Sequence, residues 1–192
     1  MFGCILMFNR LYNKRLLRRY HVQFDESLKI NGRIFIKGAA DRIKIGANVV
    51  INSRYSEVPI GFDTRNTFWI MSEGRIIIGN NVGMSNSVIC SQTKVEIEDY
   101  VLLGGGVKIY DTDFHSLNFQ KRVRFDVDND RRSLPVLIKK YAFIGAGSII
   151  LKGVTIGEKS IIGAGAVVVS DVPDGQIWAG NPARFIKDIP VE

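Results

Sequence analysis

Aliphatic residues recur every six positions along much of the chain. The longest unbroken series is Ile138, Ile144, Ile150, Ile156, Ile162 and Val168, and shorter series run over Ile97, Leu103 and Ile109 and over Ile78, Met84 and Cys90. A small or β-branched residue follows four places later, at Ala142, Ser148, Val154, Ser160, Ala166 and Val172. This period fits neither an α-helix, at about 3.6 residues, nor a simple strand, at about two.

The period predicts an all-β solenoid, a parallel β-helix whose triangular coils have three sides of six residues. Each aliphatic side chain points inward and stacks on its equivalents in the coils above and below. The small residues are expected near the corners of the narrow core. Segments such as Gly79-Asn80-Asn81 and Gly163-Ala164-Gly165 are expected to form the corners, where positive φ is often needed.

The periodicity divides the chain into three parts. We expect residues 1–27 to form a basic amphipathic helical segment and residues 28–178 to form the β-helix. Residues 179–192 are expected to cap its last coil. Residues 111–135 have no period and many charges, so we expect a loop ejected from the solenoid. Loops of this length in compact domains are usually functional or disordered.

Charge and composition add limited constraints. The net charge is +7, and the first 20 residues contain five basic and no acidic side chains. No nucleic-acid-binding motif accompanies this charge, so we expect no nucleic-acid partner, while peripheral membrane contact of the first helix stays open. The two cysteines have no metal or redox spacing, no secretory signal is recognised, and the cytoplasm is the expected compartment.

The candidate chemistry centres on one of two histidines. His21 follows the basic helix and is expected to be structural, whereas His115 stands where the regular coil gives way to the long loop. A histidine there is anchored on one side and suited to accept a proton near neutral pH. Asp111 or Asp113 could orient its ring. The local residues alone are equally compatible with a surface histidine in a polar turn.

Four motifs resemble the hexapeptide-repeat acyltransferases, particularly the galactoside, maltose and surface-polysaccharide O-acetyltransferases. They are Ile144-Gly145-Ala146-Gly147-Ser148-Ile149, Gly153-Val154-Thr155-Ile156-Gly157, Ile162-Gly163-Ala164-Gly165-Ala166-Val167-Val168 and Ala179-Gly180-Asn181-Pro182-Ala183-Arg184. The resemblance covers roughly residues 76–189. It implies a left-handed coil, acetyl-coenzyme A as co-substrate, no metal, and a homotrimer with active sites between subunits.

The resemblance also implies roles for individual residues. The catalytic pair is His115 with Asp113, and the acceptor side is lined by Asn86, Asp111 and Phe143. Coenzyme A is expected to meet backbone near Gly145, Ala146 and Ala164, with Ser170, Arg184 and Lys187 near its phosphates. Two positions depart from the family pattern: Ser170 stands where lysine is frequent, and Phe143 where galactoside acetyltransferases carry tryptophan.

These features predict an acetyltransferase acting by direct transfer to a hydroxyl of a sugar or surface polysaccharide. His115 would take the hydroxyl proton, and neither Cys4 nor Cys90 has the setting of a nucleophile. Two alternatives stay open: N-acetylation of an amino sugar or amino acid, and a non-enzymatic β-helix scaffold. A zinc carbonic anhydrase is disfavoured because its site needs three histidines and the chain has two.

Overall fold

The computed structural model describes residues 2–54, 65–124 and 130–190. Its helices are α1 (Phe2–Arg19) and α2 (Phe119–Arg122), with a 3₁₀ turn at Ala40–Arg42. The strands are β1 (Gln23–Phe24), β2 (Lys29–Gly32), β3 (Phe35–Gly38), β4 (Ile43–Ile45), β5 (Val50–Ser53), β6 (Thr67–Ile70), β7 (Ile76–Ile78), β8 (Gly83–Ser85), β9 (Val88–Ser91), β10 (Val95–Ile97), β11 (Leu102–Leu103), β12 (Lys108–Tyr110), β13 (Val136–Ile138), β14 (Phe143–Ile144), β15 (Ile149–Ile150), β16 (Thr155–Ile156), β17 (Ile161–Ile162), β18 (Val167–Val168), β19 (Gln176–Ala179) and β20 (Arg184–Asp188).

From β1 to β18 every third strand belongs to the same sheet, which makes a triangular β-helix. Sheet 1 has the order β1-β4-β7-β10-β13-β16, sheet 2 has β2-β5-β8-β11-β14-β17-β19-β20, and sheet 3 has β3-β6-β9-β12-β15-β18. All pairs are parallel except β19 with β20. The predicted parallel β-helix is therefore confirmed, and its regular period follows from one coil lying directly on the next.

Inward-facing aliphatic side chains stack in columns along the three sheets. In sheet 1, Ile45, Ile78, Ile97, Ile138 and Ile156 are in register from coil to coil, and each is at most 2% exposed. Burial of one such side chain contributes about 2 kcal/mol to the free energy of unfolding. The small residues four places later are buried as well, because each lies where the narrow core meets a corner.

Different elements close the two ends of the solenoid. At the first coil, α1 packs on β2, where the buried amide of Asn13 donates to Gly32 O at 2.7 Å and accepts from Ile34 N at 3.4 Å. At the last coil, β19 adds to sheet 2 and β20 returns antiparallel as its edge. The first strand pair begins at Gln23 rather than near residue 28, because β1 is too short to show a period.

Two insertions interrupt the coils. The segment between β5 and β6 lies mostly outside the described residues. The ejected segment occupies the space between β12 and β13, as the loss of period indicates, and residues 125–129 within it are outside the described part. Periodicity did not predict α2, whose start is marked by Asn118, since its side chain accepts from Gln120 N at 2.9 Å.

Candidate active site

The ejected loop leaves the β-helix through a narrow neck, defined here as residues 111–115 together with 132–134. Thr112 and Ser133 form an antiparallel bridge, and their hydroxyl groups are 2.9 Å apart. Leu134 N donates to Asp111 O at 2.9 Å, and Asp113 N donates to Arg132 O at 3.1 Å. The two strands of the neck are therefore tied together directly below His115.

Asp111 is held by the preceding coil. Its buried carboxylate accepts from Gln92 N and Thr93 N, both at 2.7 Å, and from the hydroxyl groups of Ser91 and Thr93, both at 3.0 Å. Four donors use most of the capacity of one carboxylate. Asp111 therefore anchors the base of the neck, and these four donors occupy both of its oxygen atoms.

Asp113 faces the following coil. Its Oδ1 forms an ion pair with Lys152 Nζ at 2.5 Å, and the two side chains are only 19% and 22% exposed. Its Oδ2 is buried and has no hydrogen-bond partner among the described residues. Lys152 thus fixes one oxygen and leaves the other able to accept a proton-bearing nitrogen, which makes Asp113 the better candidate to support His115.

Phe114, immediately before His115, is wedged between two aromatic rings of sheet 3. Its ring centroid is 6.0 Å from that of Trp69 and 5.3 Å from that of Tyr110, and its backbone has a φ of 63°. Trp69, Cys90 and Tyr110 are neighbours in register on successive strands. Phe114 contacts both flanking rings, so it lies over Cys90 and fixes the chain at His115.

The thiol of Cys90, beneath these aromatic side chains, is expected to be unreactive. The thiol is 3% exposed, and burial, with a smaller contribution from the negative charge of Asp111, raises the pKa of Cys90 to about 11. The thiolate is the reactive form of cysteine, and little of it exists near neutral pH under these conditions. This agrees with the sequence argument against Cys90 as a nucleophile.

His115 is an exposed side chain on a braced backbone. Its amide donates to Asp113 O at 2.7 Å, which closes a tight turn around Phe114. Three contacts hold this turn in place: the hydrogen bonds of Asp111 at its base, the ion pair of Asp113 with Lys152, and the packing of Phe114 between two aromatic rings. An exposed imidazole on so constrained a backbone can meet a substrate without first ordering the chain.

A second feature lies at the corner between sheets 2 and 3. Residues 104–106, 145–147 and 163–165 stack there as a strip, called here the corner strip, that carries no side chain larger than methyl. A Cβ on Gly145 would lie 2.5 Å from Ala164 N, and one on Gly104 would lie 2.6 Å from Ala146 N. Glycine is therefore required for the coils to approach this closely.

The corner strip has backbone donors to spare. Gly145 N donates to Ile162 O, Gly147 N to Gly105 O and Gly165 N to Ala146 O. Within the described residues, the amide groups of Gly105, Ala146 and Ala164 donate to no protein acceptor. Gly105 is buried, whereas Ala146 and Ala164 lie one coil apart on a surface without side chains, which suits an elongated ligand with amide carbonyl groups.

Two predicted residues flank the corner strip. Asn86, buried with a φ of 48°, turns the same corner one coil before Gly106, whose amide donates to Ser85 O at 3.0 Å. At the other end, Ala179 packs against Gly163 and pairs with Arg184, the exposed first residue of β20. Asn86, Gly145, Ala146, Ala164 and Arg184 therefore share one corner.

The other predicted residues lie elsewhere. Ser170 follows β18 in register with Lys152, which places it at the corner of sheets 3 and 1 beside the loop neck. Lys187 is farther along β20, opposite Ile177. Phe143 is 43% exposed on the outer face of sheet 2, next to the half-exposed Leu102. In one chain, sheet 3 therefore separates the neck from the corner strip.

Sequence reasoning missed Phe114 and Lys152. The register supplies a signal for Phe114, because Trp69, Cys90 and Tyr110 form one column once the coils are aligned, and Phe114 follows that column by four residues. Lys152 gave no signal, since its pairing with Asp113 depends on the path of an aperiodic loop. In the described part of the chain, no group of three or more metal-ligating side chains is assembled.

Comparison with known proteins places this architecture in a family. The model for "Bacterial transferase hexapeptide (six repeats)" matches residues 135–170. The "Putative acetyltransferase C18B11.09c" of Schizosaccharomyces pombe is 31% identical over 92% of this chain and 80% of its own length. This chain belongs to the hexapeptide-repeat acetyltransferase family. The predicted acyltransferase class is thereby confirmed at the level of the family.

Other family members match over shorter stretches. The "Putative acetyltransferase YJL218W" of Saccharomyces cerevisiae is 37% identical over 59% of this chain, which spans only 56% of that protein. A Clostridium perfringens 2,3,4,5-tetrahydropyridine-2,6-dicarboxylate N-acetyltransferase is 49% identical over 29% of this chain and 23% of its own length. The latter match spans only 55 residues.

Solved structures share the fold. A point mutant of AntD, an N-acyltransferase from Bacillus cereus in complex with dTDP-4-amino-4,6-dideoxyglucose and coenzyme A, has a TM-score of 0.75 at 21% identity, covering 93% of this chain and 89% of that one. The Vibrio cholerae acetyltransferase VCA0836, complexed with acetyl-coenzyme A, has a TM-score of 0.58 at 22% identity, covering 96% and 89%. These likenesses support the left-handed hexapeptide fold.

Proposed function

We propose that this protein transfers the acetyl group of acetyl-coenzyme A to an amino group of a sugar, with His115 as general base. The observation that carries the proposal is the bracing of His115 on the loop neck by Asp111, Asp113 and Phe114. A solvent-exposed loop histidine without a role would not need three separate anchors, to residues of three different coils.

The residues present fit coenzyme A. The corner strip offers the open amide donors of Ala146 and Ala164, spaced by one coil, to the amide carbonyl groups of a pantetheine arm. The absence of side chains lets the arm approach the backbone. Arg184 continues the same corner with an exposed guanidinium, the group best suited to phosphate. Acetyl-coenzyme A supplies the acetyl group as an activated thioester.

His115 acts as the general base for the acceptor amine. Its imidazole accepts a proton from the attacking nitrogen while the new carbon–nitrogen bond forms, and it returns that proton to the departing sulfur. The negative charge of the Asp113 carboxylate, two residues before His115, stabilises the protonated ring, and its Oδ2 is available to accept from it. A backbone amide of the corner strip stabilises the negative oxygen of the carbonyl, an effect of about 3 kcal/mol in comparable sites.

The acceptor atom is the part on which sequence and comparisons differ. The motifs predict a hydroxyl acceptor, with an amine as the alternative. Where the names reported above specify an acceptor, as for AntD and the dicarboxylate N-acetyltransferase, that acceptor is nitrogen. These names support the amine alternative over the hydroxyl, and the AntD complex supports an amino sugar in particular.

The separation of the two corners supports a site shared between copies of the chain. About five extended residues separate Gly106 from Asp111, a distance of roughly 16 Å. Reacting atoms must approach to about 3.5 Å. A homotrimer in which the neck of one copy faces the corner strip of its neighbour brings them together without distorting either, and we propose that assembly.

Release of free thiol from acetyl-coenzyme A tests the function. The full chain is assayed with matched sugar pairs that differ only in an amino or hydroxyl group at one position. We expect turnover with at least one amine and a rate at least about 100-fold lower for its hydroxyl partner. Turnover with the hydroxyl sugars alone would return the function to O-acetylation, and no turnover with either series would refute sugar acetylation.

A subunit-mixing assay tests the shared site. His115→Ala is mixed with Gly145→Ala after dissociation and reassembly, so that some sites receive an intact neck from one copy and an intact corner strip from another. With acetyl-coenzyme A well below saturation, activity above the mean of the two unmixed variants supports the shared site. No regain in verified mixed oligomers would place both halves of the site in one copy.

A further inference from the structure

Helix α1 carries a hollow far from the candidate active site. It has a volume of about 410 Å³ and is lined by Leu11, Tyr12, Arg15, Leu16, Arg19 and Arg33. The helix packs on the first coil, whereas the loop neck and the corner strip belong to later coils. The acetyl-transfer proposal gives this hollow no role.

The cations of the hollow have no counter-charge. Arg15 and Arg19 are exposed, one helical turn apart, and form no ion pair or hydrogen bond within the described residues. By contrast, Lys14 and Arg18 both pair with Glu26 at 2.7 Å. No acidic side chain lines the hollow. Lys14 and Arg18 therefore share one carboxylate, whereas Arg15 and Arg19, on the adjacent face of the helix, are left for an external anion.

Apolar surface adjoins these free cations. Leu11 and Tyr12 are 51% and 44% exposed, and the guanidinium of Arg33 lies 4.7 Å from the centre of the Tyr12 ring. Toward its N-terminus the helix sequence, residues 2–8, has no charged residue. A small inorganic anion would be matched by arginine alone. The combination of arginine with exposed apolar surface matches a ligand with an anionic head and an apolar tail.

We propose that the face of α1 formed by Leu11, Arg15 and Arg19, together with Arg33, docks on a bilayer of anionic phospholipid. Lipid phosphate enters the hollow, and Leu11 and Tyr12 contact the acyl boundary. No helix in the described ranges is long and apolar enough to cross a bilayer. The arrangement is that of a helix lying in the interface, where apolar contact and attraction to anionic lipid act together.

Vesicle flotation tests the docking. The full chain is floated with vesicles of phosphatidylcholine alone and with vesicles that also contain anionic phosphatidylglycerol. We expect flotation with the anionic vesicles only. Arg15→Gln with Arg19→Gln should lower the partition coefficient about 30-fold, because each arginine close to such a surface contributes substantially.

The matched control is Lys14→Gln with Arg18→Gln, which removes the same charge from the Glu26 side of the helix. It should change partitioning less than about three-fold, since those cations share the carboxylate of Glu26 and lie outside the proposed docking face. Circular dichroism confirms that each variant folds. An equal loss of partitioning in both double variants would show that net charge alone attracts the protein, which would overturn the proposal. Equal flotation with both kinds of vesicle, or flotation with neither, would also overturn it.

Discussion

The two corners that border sheet 3 differ in whether backbone or side chains provide their functional groups. At the corner with sheet 2, the corner strip has no side chain larger than methyl, and its hydrogen-bond donors are backbone amides. At the corner with sheet 1, the loop neck depends on side chains: a carboxylate with four donors, an ion pair and an aromatic wedge. The regular edge is built to hold an extended ligand, and the irregular edge to place one reactive group.

The largest expected effect is at the neck. His115→Ala should lower kcat by about 100-fold to 10,000-fold, the usual contribution of a general base, with thermal stability unchanged because the side chain is exposed. Steady-state kinetics measures the loss. His21→Asn is the matched control, since asparagine tolerates the φ of 55° at that position and His21 lies outside both corners.

The wedge beneath His115 should matter next. Phe114→Ala should lower kcat about 30-fold and leave KM for acetyl-coenzyme A unchanged, because it displaces the base without touching the corner strip. Phe119→Ala, which removes an exposed ring in the same loop, should have little effect. Equal losses in both variants would mean that the loop responds to any lost ring and that the wedge has no specific role.

Phe114→Ala should also change the reactivity of Cys90. In a Cys4→Ser background, Cys90 is the remaining thiol, and its raised pKa of about 11 with its burial should make maleimide labelling at pH 8 very slow. Phe114→Ala should accelerate labelling at least about ten-fold by uncovering the thiol. Unchanged labelling would show that Phe114 does not cover Cys90.

At the regular edge the expected effect is on binding. Gly145→Ala puts a Cβ 2.5 Å from Ala164 N and should weaken acetyl-coenzyme A binding about ten-fold, with a loss of about 1–3 kcal/mol in the free energy of unfolding. Gly175→Ala, at a φ of 70° in open space, should cost about 1 kcal/mol through backbone strain alone and leave binding unchanged. Calorimetry and thermal denaturation separate the two.

The smallest effect distinguishes the two carboxylates. Asp113→Asn should lower kcat about five-fold because it weakens support for the protonated ring, and it should lower the free energy of unfolding by about 1 kcal/mol because it removes the charge that pairs with Lys152. Asp111→Asn should instead lower the free energy of unfolding by about 2–3 kcal/mol through its buried hydrogen bonds, while the folded fraction keeps its kcat. The reverse pattern would assign the supporting role to Asp111.

The sequence predicted the regular edge better than the irregular one. The period of six reports directly on which side chains stack, and the glycines at 104, 145 and 163 follow from the same register. The neck has no period, so the separation of Asp111 and Asp113 onto different coils could not be foreseen. Coil spacing offered a hint, since the donors to Asp111 lie 18–20 residues upstream.

Acetyl-coenzyme A titration of the wild type and of His115→Ala is the most direct test of the central claim, that one corner binds the donor and the other supplies the base. We expect micromolar affinity, about −8 kcal/mol, at one site per chain for both proteins, with turnover at least about 100-fold lower in His115→Ala. No binding at millimolar acetyl-coenzyme A, or full turnover without His115, would contradict it.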